Sequence, residues 1–132
     1  MSDRVYVLGG YQTDFAENWA RNGNEIYDGF EHTVLTGLDT VGLEPQDIDT
    51  AHVGNFAAEL FCRQGHLGGF FAASHPEFSG KPASRHEAAC ASGSIAMLAA
   101  AAEIEAGRYG LAAFVGIEQM RNVPGKTGVE YI

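Results

Sequence analysis

A chain of 132 residues with 8 Lys and Arg against 17 Asp and Glu carries a formal net charge of −9 and is long enough for one hydrophobic core, not two. Its 45% hydrophobic and 19% charged residues exclude a disordered chain or a polyelectrolyte. The cations, from Arg4 to Lys126, are scattered singly, so no basic stripe faces a phosphate backbone or an anionic surface, and neither nucleic acid nor membrane is expected as a partner.

The N-terminus runs from Met1-Ser2-Asp3-Arg4 into Val5-Tyr6-Val7-Leu8, a β-branched and aromatic run closed by Gly9-Gly10. This pattern predicts a buried first strand with no export signal before it, and hence a cytoplasmic protein. Residues 11–24 are polar and aromatic without period and are expected as a loop. Ile26, Phe30, Val34, Leu38 and Val41 then recur at helical spacing, with Asn24 as the expected cap and Gly42 as the stop. After Pro45, residues 48–54 alternate as a short second strand. In residues 55–74 the apolar spacing supports a helix while Gly65, Gly68 and Gly69 interrupt it, so a loop and then a glycine-containing helix are expected.

Residues 76–82 are turn-rich, and 83–89 carry Arg85, His86 and Glu87 in a row, a pattern that periodicity alone does not make a strand. Residues 92–106 are nearly all small or apolar and end at Gly107 and Arg108, which predicts a buried helix. Residues 111–117 form a continuous apolar run of strand length, and 121–132 are expected as a loop. Alternating strands and helices imply an α/β layered fold.

The strongest chemical feature is Cys90-Ala91-Ser92-Gly93-Ser94 at the entry to the apolar helix. A thiol there faces unpaired backbone N–H groups and the positive end of the helix dipole, an environment that favours a nucleophilic thiolate. A buried, inert cysteine beside a helix cap is the alternative that spacing leaves open. With only two cysteines and no export signal, Cys62 and Cys90 are expected as thiols.

Other constellations are weaker. Cys62 and His66 stand four apart, but no further ligands at zinc spacing accompany them, so no metal is expected. None of His32, His52, His66, His75 and His86 is singled out as a ligand. Gly125-Lys126-Thr127 imitates the end of a phosphate loop, yet Met120 occupies the position of its first glycine. Gly65-His66-Leu67-Gly68-Gly69 lacks dinucleotide-binding spacing. Glu103 and Glu105, two apart on a helix, cannot face each other and are expected in solvent.

The segment Glu87-Ala88-Ala89-Cys90-Ala91-Ser92-Gly93-Ser94-Ile95-Ala96 resembles the nucleophile segment of thiolases, especially the lipid-transfer-protein type and its bacterial and archaeal relatives. Val5 to Phe15 resembles the family's opening strand and turn, and Val115 to Met120 the strand end after the nucleophile helix. The ordered match implies a layered thiolase-like fold present as an incomplete N-terminal half, βαβαβαβ, with residues 1–132 forming a partial N-terminal domain and the C-terminal half absent.

It further implies an acetyl-CoA C-acetyltransferase type of enzyme, acting in lipid metabolism. Cys90 would accept an acyl group from acyl-CoA and pass it on by Claisen condensation, or return it to CoA by thiolysis. CoA thioesters would be substrates rather than cofactors, and no residue is assigned to bind them. The family's activating Gly-His-Pro histidine and Cys-x-Gly cysteine would lie beyond Ile132. A homodimer is implied through the strand before the nucleophile, as is a possible partner chain supplying the C-terminal half. Gly116, Glu118 and Met120 match the strand-end pattern, and packing is their expected task. Two alternatives stand beside this reading: a related CoA-thioester condensing or retro-aldol enzyme, and a noncatalytic half-domain that needs a partner.

Overall fold

The computed structural model describes residues 4–132. Helix α1 (Ile26–Val41) forms where the apolar residues recur every four positions, and Ile26, Phe30, Val34 and Leu38 are buried along one stripe. Its cap, Glu25, stands one residue after the Asn24 expected. The Glu25 N–H donates to Asp28 Oδ2 at 2.7 Å, which satisfies a group that the first helical turn leaves open. Gly42 stops the helix at φ 66°, and the Leu43 N–H closes back on the Leu38 carbonyl at 3.1 Å.

Three parallel strands follow, β1 (Thr50–Gly54), β2 (Ala83–His86) and β3 (Ala112–Gly116), in the order β2-β1-β3. Parallel pairing demands crossovers. The β1–β2 link carries α2 (Ala58–Phe61) and α3 (Gly68–Ser74), and α4 (Ser92–Glu105) joins β2 to β3. All five residues of the central strand β1 are buried, as a strand covered on both faces requires.

The two faces of the sheet differ. Ala51, Val53 and Val115 point to the face covered by α1 and α3, where Phe30, Leu67, Phe70, Phe71 and Phe78 complete the core. Phe71 and Phe78 stack there with ring centroids 4.0 Å apart. By the two-residue period, Thr50, His52 and Gly54 point to the opposite face, under α4.

Helix α4 is the expected glycine-stopped helix, but it is buried on one stripe only, Ser92, Ala96 and Ala100. Its far side leaves Leu98 59% exposed and Ile95 and Met97 partly so. The 132-residue polypeptide is therefore expected to self-associate and to bind an apolar dye. A monomer in sedimentation velocity with no dye signal would contradict this, and Leu98→Glu should reduce the association.

The first expected strand is corrected. Val5 to Leu8 forms no ladder, and Tyr6, Val7 and Leu8 are 70%, 69% and 62% exposed. A strand exists only by hydrogen bonding to a neighbour, and among the described residues none lies alongside. Residues 83–86 go the other way and form the edge strand β2, because their polar side chains find particular partners described below. The expected C-terminal loop contains α5 (Gly125–Tyr131), which docks through Tyr131 edge-on to the Phe61 ring at 5.2 Å. Gly125 and Gly128 weaken its helical signal, and tertiary contact outweighs propensity. The α/β class stands, with three strands among the described residues in place of four.

Asp49 ties the strand starts together, since its Oδ2 accepts the N–H groups of Gly110 and Leu111 at 2.9 and 3.0 Å. Those two bonds hold its carboxyl below the usual carboxylate range.

Candidate active site

Because all three strands run in parallel, their carboxyl ends, Gly54, His86 and Gly116, emerge together. Open α/β sheets place ligands at that edge. Here it borders an open cavity of about 900 Å³, walled by the ends of β1 and β3, by the turn at Cys90 and by the loop from Tyr11 to Trp19. Thr13 and Phe15 belong to that loop wall.

Cys90 lies in a tight turn, Ala89–Ala91, that leads directly into α4, and it is exposed to the cavity. The turn is bent sharply. Ala89 has φ 48°, in the left-handed region that costs a residue with a Cβ about 1 kcal/mol. Ser92 holds this conformation: its hydroxyl donates to the Ala89 carbonyl at 2.7 Å and accepts the Ala88 N–H at 2.9 Å. The Glu87 carboxylate accepts the Ala89 N–H at 2.6 Å. Ser92 is buried and its hydroxyl is engaged by the turn on both sides, so this serine braces it. Its place two residues after the cysteine, at the first position of the helix, is the sequence signal for a serine that bonds back to the preceding backbone.

The helix start sits hard against the sheet. A Cβ on Gly54 would lie 2.5 Å from the Ser92 carbonyl carbon and oxygen, and one on Gly93 would lie 3.8 Å from the Gly116 Cα. Small residues at these points let the backbone of α4 approach the strand ends closely.

Glu118, given only a packing role from sequence, is a hydrogen-bond hub. Its carboxylate accepts the Phe56 N–H at 2.8 Å, the Asn55 side-chain amide at 3.0 Å and the Ala57 N–H at 3.4 Å. Asn55 is 1% exposed and also donates to the Ile117 carbonyl at 2.8 Å. Together they fasten the loop after β1 to the end of β3. On the far wall, the Arg121 guanidinium donates to the Phe15 and Glu17 carbonyls, and the Gln119 amide donates to the Asn24 carbonyl at 3.2 Å.

Glu103 departs from the expected solvent position. One of its oxygens lies 3.0 Å from His52 Nε2, while His52 Nδ1 lies 2.9 Å from His86 Nε2. Both histidines and Glu103 thus belong to one cluster that the sequence did not single out, because its members stand 34 and 51 residues apart.

Cys62 differs from Cys90. It is half-buried at the end of α2, its thiol directed at the Gln119 carbonyl at 3.5 Å, and burial pushes that thiol up in spite of a hydrogen bond from Asn122. Iodoacetamide near neutral pH is therefore expected to modify Cys90 well before Cys62 in the folded protein. Equal rates in a peptide-resolved mass spectrometric time course would refute the assignment of the two environments. Among the described residues no group of three or more His, Cys, Asp or Glu is arranged to hold a metal ion. None of their helices is long and apolar enough to cross a membrane.

The family model of the thiolase N-terminal domain matches residues 5–132. The chain belongs to the thiolase family. Acetyl-CoA acetyltransferase of Methanocaldococcus jannaschii is 33% identical over 119 residues, which cover 90% of this chain and 29% of that protein. Acetyl-CoA acetyltransferase of Methanothermobacter thermautotrophicus is 32% identical over 119 residues, covering 90% and 30%. This thiolase-family chain therefore spans less than a third of the length of these relatives.

Proposed function

We propose that this chain carries the acyl-accepting half of a thiolase-type acyl transfer, with Cys90 as the nucleophile. The observation that supports it is the exposed thiol of Cys90 at the head of α4, opening into the cavity at the strand ends of a chain in the thiolase family. In the proposed step Cys90 Sγ bonds to the carbonyl carbon of an acyl-CoA, and the bond from that carbon to the CoA sulfur breaks. The proton from Cys90 leaves with CoA as its free thiol. Backbone N–H groups at the start of α4 supply partial positive charge for the oxygen that becomes negative in between.

The acyl group then passes to a second acyl-CoA in a Claisen condensation, or back to CoA in thiolysis. Acetyl-CoA is the proposed donor, by likeness to the two acetyl-CoA acetyltransferases. Groups that activate the thiol and the second substrate belong in this proposal to residues outside the 132, on the rest of a longer chain or on a partner chain. Residues 1–132 act as a partial N-terminal domain, pairing as a homodimer in the cytoplasm.

Incubation with acetyl-CoA of the protein that includes those outside residues, on the longer chain or with the partner chain, followed by peptide mass mapping, tests the first step. One acetyl group on the Cys90 peptide, absent from Cys90→Ser as a thioester labile to hydroxylamine, is the expected result. An unmodified Cys90 in a preparation whose Cys90 still reacts with iodoacetamide would overturn it.

A further inference from the structure

The cluster of His52, His86 and Glu103 joins the central strand β1 to the two elements on either side of the cysteine turn, β2 before it and α4 after it. His86 ends β2, four residues before Cys90. Glu103 sits in the last turn of α4, at the far end of the helix that begins directly after the Ala89–Ala91 turn. His52, on the central strand and 4% exposed, lies between them and hydrogen-bonds to both. The backbone of His86 is held as well, its carbonyl accepting the Asn55 N–H at 3.0 Å.

From this we infer that His52 is a positioning residue which brackets the Cys90 turn, fastening its incoming strand through His86 and its outgoing helix through Glu103. The inference rests on the reading of Cys90 as the nucleophile, and it adds a dependence on protons.

The donors and acceptors fix how many protons the bracket can hold. An ionised Glu103 only accepts, so His52 donates from Nε2, and neutral His52 then offers Nδ1 as acceptor to His86 Nε2–H. One further proton is accommodated: a charged His52 donates from both nitrogens, to Glu103 and to a neutral His86 of the other tautomer. A second proton sets two N–H donors face to face across 2.9 Å. The Ser84 hydroxyl, 2.9 Å from His86 Nε2, can then take the His86 donor and draw it off His52.

The groups facing His86 are His52 from β1, Glu103 from α4 and Ser84 on its own strand. Its chain neighbours are engaged elsewhere, Arg85 with Glu59 and Glu87 with the Ala89 N–H. Burial, followed by the neighbouring His52, pushes His86 below its ordinary 6.5, with Glu103 opposing. The sign follows. The unfolded chain takes up this proton first, so the stability the bracket adds is whole above 6.5 and is lost as pH falls through the lower folded value, where the bond itself opens.

Alkylation of Cys90 by iodoacetamide, followed from about pH 5 to 8 in the 132-residue protein, reads the bracket without requiring acyl transfer. The wild type is expected to lose rate on the acid side more steeply than a single thiol ionisation permits. His86→Gln should keep the neutral rate and lose the extra steepness, because an amide can donate to or accept from His52 in any protonation state. His86→Ala should change the rate at neutral pH as well.

A wild-type limb with the slope of one ionisation, or a steep limb that survives in His86→Gln, would overturn the inference. Should the variants not fold by circular dichroism, amide exchange of residues 88–93 in the wild type decides. Protection must fall along the same acid limb, and unchanged protection refutes the bracket. A steep limb with no acetyl transfer to Cys90 would instead discard the acyl-transfer reading and leave the bracket standing.

Discussion

Gly54→Val is expected to unseat the helix that carries Cys90. The first atom of any side chain at this position falls 2.5 Å from the backbone of Ser92, and backbone cannot turn aside as a flexible side chain can. Either α4 lifts from the sheet or β1 bends, and overpacking of this kind costs about 1–3 kcal/mol or more. In a domain stabilised by the usual few kcal/mol that is a large share of the total. A lowered urea midpoint should appear together with altered Cys90 alkylation. A variant with unchanged midpoint and alkylation would show that the close approach is absent in solution. Gly93→Ala is the control, since its added carbon meets only ordinary contact at 3.8 Å.

Glu118→Ala is expected to act on the cavity wall. It removes the acceptor for the Phe56 N–H and for one hydrogen of the buried Asn55 amide, and each donor left unpaired costs about 1–3 kcal/mol where water cannot replace the carboxylate. The loop after β1 should loosen, seen as faster amide exchange at residues 55–58, while exchange in α1 stays as it was. Glu118→Gln retains one acceptor oxygen and should recover part of the protection. Exchange that is unaffected in both variants would refute the hub.

Most of the architecture is legible in the sequence where one local signal suffices. The four-residue spacing from Ile26 to Leu38 with Gly42 behind it, and the apolar run at 112–116, need only their own pattern. Cys90 at a helix entry is legible for the same reason. What escapes is whatever depends on a distant partner. Val5 to Leu8 has every local feature of a strand and lacks a neighbour. Residues 83–86 look unlike a strand until Ser84 and His86 meet His52 and Arg85 meets Glu59. Residues 125–131 are helical because Phe61 offers a surface for Tyr131. The cluster of His52, His86 and Glu103 and the Glu118 hub are invisible for that reason, since each joins residues more than 30 positions apart.

The phenylalanine-rich layer lies beneath the sheet on the side of α1 and α3, whereas Cys90 stands at the strand ends beside Gly54, Gly116 and the start of α4. The stacked phenylalanines and the Cys90 turn thus occupy different sides of the sheet, meeting only through residues such as Ile117 and Trp19. Sequence drift that exchanges one apolar side chain for another in the aromatic layer changes how firmly the molecule holds together without re-aiming the sulfur. A protein engineer has the same freedom: heat resistance can be raised from below while the turn that carries Cys90 is left untouched.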